Sequence, residues 1–198
     1  VELEYKNSGT AVFTKADKNT KVFKDGALWE PGHVEYVVLK VSNAGSLALK
    51  YKLGINIAGE TGSTNVLGNE FKLSDYIKFG VVGEDLSGKT RDEMVAAVTD
   101  GKLIKEGYSK ESHLDTTNAN ETVTLVVWMP TDVGNEANHA VDAAAPEINL
   151  GINVAATQYT MESDSFGNEY DEDAEYPISV TTGDELQAIV SNATAPVN

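Results

Sequence analysis

The residues that could do chemistry in this chain are three histidines, His33, His113 and His139, and an acidic run beyond residue 160. The histidines stand far apart and form no H-E-x-x-H pair, so the helical zinc-protease pattern is missing. No serine sits in a G-x-S-x-G elbow, and neither G-x-G-x-x-G nor G-x-x-x-x-G-K-[ST] occurs. The acidic run, Asp164-Ser-Phe-Gly-Asn168-Glu-Tyr-Asp171-Glu-Asp173, offers hard oxygen donors. Its glycine comes at the fourth position from Asp164, where an EF-hand loop needs it at the sixth. Asp164, Asp171 and Asp173 are the candidate calcium ligands; the alternative is a self-repelling acidic linker. No catalytic residue and no other cofactor is expected.

Composition narrows the class further. The chain has 198 residues and no cysteine, which excludes disulfides, thiolate catalysis and Cys-bound metals. All 15 Lys and Arg lie in residues 1–110, beside 15 of the 31 acids. The other 16 acids follow without a single Lys or Arg, so the net charge of −16 belongs to the second half. Such a surface repels nucleic-acid phosphates and anionic lipid heads. There is no run of apolar residues long enough to span a bilayer.

The elements that would position any site read as strands. Val34 to Val41 is apolar on both faces apart from Glu35 and Lys40, which suits a central strand. Leu47, Leu49, Tyr51, Leu53, Ile55 and Ile57 alternate with small and polar residues, the period of a half-buried antiparallel strand. Asn43-Ala44-Gly45-Ser46 lies between, so the two read as a hairpin with Gly45 at positive φ. Pro31-Gly32 marks the turn before it. Further strands are predicted at Val1–Tyr5, Thr20–Phe23, Lys78–Val82, Lys102–Glu106, Ser112–Leu114, Thr122–Met129 and Ile148–Ala156. Ala58–Asn69 reads as a loop, Leu73–Ile77 as one helical turn, and Val133–Ala145 as an Ala-rich stretch of low helix potential. Thr90 and Glu93 form a capping box that starts a short helix. The sum is an all-β, jelly-roll-like antiparallel β-sandwich with one or two short intercalated helices over residues 1–171. Residues 172–198 read as an acidic linker and the start of a further module.

The segments Trp29-Glu-Pro31-Gly32 and Val41-Ser-Asn43-Ala-Gly45-Ser46-Leu47-Ala48-Leu49-Lys50 resemble the TasA/camelysin family of secreted proteins with SipW-type signal peptides. Val126-Val-Trp-Met-Pro130, Val133-Gly-Asn135, Ile152-Asn-Val154-Ala-Ala-Thr157-Gln158 and Asp164-Ser-Phe-Gly-Asn168 with Tyr170-Asp171 continue the likeness in order. The resemblance implies a jelly-roll fold, export to the matrix or cell surface of a Gram-positive bacterium, and a non-enzymatic role in biofilm-matrix fibres. It implies self-association, or association with other matrix proteins, by donor-strand complementation. The donor segment would lie upstream of Val1, so the chain without it is expected to be monomeric. The family's metalloprotease label does not carry over, because the zinc motif is missing. The alternative function is an adhesin-like module whose loops Ala58–Asn69 and Val133–Ala145 hold a glycan or a protein.

Overall fold

The computed structural model describes residues 1–23 and 28–159. The acidic run, with Asp164, Asp171 and Asp173, and the linker over 172–198 lie outside the described residues. In chain order the strands are β1 (Glu2–Asn7), β2 (Thr10–Lys15), β3 (Val34–Ser42), β4 (Leu49–Thr61), β5 (Ser63–Thr64) and β6 (Glu70–Phe71). Then come β7 (Lys78–Val82), helix α1 (Arg91–Ala97), β8 (Lys102–Leu103), β9 (Tyr108–Leu114), β10 (Asn120–Trp128) and β11 (Glu147–Gln158). Six strands form one antiparallel sheet in the order β2-β1-β3-β10-β7-β8, and three form a second in the order β11-β4-β9. The two sheets make an antiparallel β-sandwich, the expected fold class.

Period two explains the core. Val37, Leu39 and Val41 on β3 and Val123, Leu125 and Val127 on β10 point inward from the large sheet. Leu49, Tyr51, Leu53 and Ile55 on β4 meet them from the small one. The outward row of β10 is buried as well, because a third layer covers it. Val34, Leu86, Met94 and Val126 form a second apolar cluster beneath α1. Thr90 caps that helix as the sequence predicts, accepting from the Glu93 N–H while the Glu93 carboxylate accepts from the Thr90 N–H. Gly80 lets the layer approach: a Cβ there would run into the Val98 side chain.

The predicted hairpin of residues 34–57 is not one. β3 pairs with β1 and β10, whereas β4 pairs with β9 and β11. The connection therefore crosses from one sheet to the other. The physical reason is that both strands carry a continuous apolar row, and two such rows bury more by facing across a core than by lying side by side. Gly45 is not at positive φ; the turn is made by Asn43, whose side chain accepts from the Gly45 N–H and donates to the Leu47 carbonyl. Leu47 lies before β4 and is half exposed. The turn at Pro31-Gly32 holds: Gly32 has φ 85° and its N–H donates to the Met129 carbonyl.

Other boundaries shift too. β1, the strand predicted at Val1–Tyr5, forms a hairpin with β2, which the sequence reading does not predict. Thr20–Phe23 is not a strand; the Asn7 amide donates to the Val22 carbonyl, and Val22 and Phe23 pack on the core. The supposed loop Ala58–Asn69 holds the end of β4 and all of β5, which pairs with β6. Lys102–Glu106 is strand only at its first two residues and then a 3-10 turn.

Candidate functional site: an open strand beside a shelf

The two main sheets have four edges, and three are blunted. β8 is two residues long. β2 is short and ends in Lys15. β9 carries Lys110, Glu111 and His113. Short length and charge are the usual defences against edge-to-edge pairing. β11 has neither: it runs for 12 residues with no proline and no charge after Glu147, and among the described residues it pairs only with β4. Its inward residues Leu150, Ile152, Val154 and Ala156 pack on the core yet remain half-buried.

The mismatch between six strands and three explains why that row stays half open. β9 lies over β10 and β7, as Lys110 and Ser112 reach Glu121 and Tyr108 meets the Phe79 ring edge-on with centroids 6.4 Å apart. On this side of the large sheet β1 lies next to β3, and β2 is the edge strand beyond it. Leu3 and Tyr5, the inward residues of β1, are half-buried and form the floor of this shelf. Val22 and Trp29 pack against the same core cluster. At the far end, Val1, Asn43, Leu47, Ala156 and Gln158 line a groove of about 420 Å³.

The inter-sheet mouth on the other side is closed by polar chemistry. Glu121 stands at the start of the inward row of β10 and takes hydrogen bonds from Tyr51 at 2.6 Å, Ser112 at 2.7 Å and Lys110 at 2.6 Å. Burial pushes its pKa up, but Lys110, Tyr51 and Ser112 outweigh burial and leave it lowered. The Tyr51 phenol is pushed well above its ordinary range by burial first and by the carboxylate second. Sequence reasoning passed over Glu121. Its signal was present: period two puts residue 121 on the same face as Val123, Leu125 and Val127.

The three histidines do not converge. His33 bonds Glu35 at 3.0 Å and meets the Trp29 ring edge-on. His113 stacks on Tyr159 with centroids 5.2 Å apart. His139 bridges to Asn65. Among the described residues, no group of three or more His, Asp or Glu could hold a metal ion.

The two loops expected to display a ligand are knitted to each other. Buried Asn65 donates to the Glu136 carbonyl and accepts from the N–H groups of Leu67 and Asn69. Ser63 donates to the Ala144 carbonyl, and the Ala140 N–H to the Thr64 carbonyl. These bonds tie the two loops together. No helix among the described residues is long and apolar enough to cross a membrane. No family model and no curated protein matches the chain.

Proposed function

We propose that this protein is a non-enzymatic structural subunit of extracellular fibres, and that β11 and the shelf beside it accept a strand from another copy. The observation that carries the reading is the pairing of an unblunted 12-residue edge with a half-buried apolar floor. An added strand on β11 would satisfy a row of backbone donors and acceptors and cover Leu3, Tyr5, Leu150, Ile152 and Val154. Head-to-tail donation of one strand leads to open filaments. The resemblance of Trp29–Gly32 and Val41–Lys50 to the TasA/camelysin family supports the same reading, including secretion to a Gram-positive matrix or surface.

The test is electron microscopy of the natural full-length secreted product, beside Leu3→Glu and Ile152→Glu variants whose folding is checked by thermal melting. Filaments from the wild type and their loss in folded variants are expected. A wild type that stays monomeric across salt and pH, or folded variants that still polymerise, would sink the reading.

A further inference from the structure

Helix α1 and the apolar cluster beneath it cover part of the outer face of the large sheet. The outward residues of β11, β4 and β9 belong to neither apolar cluster. On β4 that row is Lys50, Lys52, Gly54 and Asn56. Beside the two lysines, β9 presents His113 and Glu111, and β11 presents Thr157 and Ala155. Among the described residues in these rows, Glu111 is the one acid next to the lysines, and it stands on the β9 side. The β11 side is uncharged there. Two positions further, the Asn153 side chain occupies the place that a Cβ on Gly54 would take, so it lies over the glycine instead of standing out.

The chain leaves β11 on this face. The Tyr159 N–H donates to the Ala48 carbonyl at 2.9 Å. Its ring reaches across β4 to stack on His113, with centroids 5.2 Å apart and 22° between the planes. The sequence that follows lies outside the described residues; between residues 160 and 176 it carries seven acids and no Lys or Arg. Glu162 and Asp164 fall in a period-two row that Phe166 continues. Lys50, Lys52 and Gly54 make the same row on β4. In extended backbone, same-side residues stand about 7 Å apart in both rows, so the spacings match. The three residues from Tyr159 to Glu162 span about 10 Å, the separation of stacked β layers.

We propose that this acidic segment folds back over the outer face of its own small sheet, with Glu162 and Asp164 pairing with Lys50 and Lys52 and with Phe166 lying over Gly54 and Asn153. Charge complementarity selects the occupant, because acids follow directly on the residue that is pinned beside the lysines. The tether supplies an effective concentration in the millimolar range, on the order expected of a short linker. Partly exposed ion pairs contribute little singly, so the tether and the aromatic ring matter as much as the charges. The cover lies on the face of β4 and β11 and leaves the β11 edge open, so it does not rest on the fibre reading.

The experiment is paramagnetic relaxation in the full-length 15N-labelled chain. The sequence has no cysteine, so Ser165→Cys takes a single nitroxide. Amide signals of residues 50–56 and 151–157 should broaden, and those of α1, on the far side of the large sheet, should not. The broadening at 50–56 should fall at least roughly three-fold in 1 M salt, where the screening length is about 3 Å. It should fall likewise in Lys50→Glu with Lys52→Glu, and return when Glu162→Lys and Asp164→Lys are added to that variant. Circular dichroism checks that each variant is folded; if charge reversal unfolds the chain, Lys50→Gln with Lys52→Gln reads the same loss. Equal broadening of α1, broadening that survives loss of the lysines, or no return on the second reversal would overturn the proposal. So would broadening seen only between a nitroxide-bearing chain and a separate 15N-labelled one, which would mean docking between copies.

Discussion

Tyr51 and Glu121 stand on opposite sheets, and the Tyr51 phenol donates to the Glu121 carboxylate at 2.6 Å across the mouth of the sandwich. Together with Lys110 and Ser112 of β9, which reach the same carboxylate, it makes a polar tie between layers joined mainly by apolar packing. Tyr51→Phe removes the donor and leaves Lys110 and Ser112 in place. The expected loss is about 1 kcal/mol, since the carboxylate is partly solvated, and urea melting of the two proteins measures it.

The same carboxylate sets a pH dependence. Its folded pKa lies below the ordinary 4.5, so its contribution is present above that value and is lost as pH falls through the lowered one. Wild-type stability should decline in that acid window, and Glu121→Gln should flatten the decline. Melting temperatures taken between about pH 6 and pH 3 decide it: equal slopes in the two proteins would refute the tie.

Glu35 is buried, 6% exposed, and His33 is its hydrogen-bonding side chain among the described residues. Removing the imidazole leaves a carboxylate in the core without that partner. His33→Ala should destabilise by about 3 kcal/mol, more than Glu35→Gln, which removes the charge and leaves a neutral amide that the imidazole can still hydrogen-bond. Chemical denaturation of both variants gives the order.

Gly80 and Val98 share one space between the large sheet and the α1 layer. Gly80→Ala should cost about 1–3 kcal/mol by overpacking. Val98→Ala should recover part of that cost in the double variant. A double-mutant cycle with no coupling would show that the layer yields freely.

Asn65 holds the two knitted loops through its amide. Asn65→Ala strands several backbone groups at once, so it should lower stability by about 2 kcal/mol. Hydrogen exchange should quicken at residues 64–69 and 135–140 before it quickens in β4 and β10.

Much of the fold could be read along the chain because its signals are local. Alternation marked β7, β10 and β11 nearly to the residue, and Thr90 with Glu93 marked α1. The turn at Pro31-Gly32 was equally local, a matter of one positive φ. Pairing is different in kind. The apolar rows of β3 and β4 state that each strand has a buried face, but a strand's sequence does not name the strand that lies beside it. Only the packed molecule separated them into two sheets, because their rows bury each other across the core. The candidate sites depend on that same step. The open edge of β11 exists because three strands lie over six, and Glu121 meets Tyr51, Ser112 and Lys110 because β9 closes over β10. Sequence set the periods, the caps and the charge of this protein; tertiary structure decided which strand, among the described residues, kept one unpaired edge, since that is a property of the whole sheet and of no segment within it.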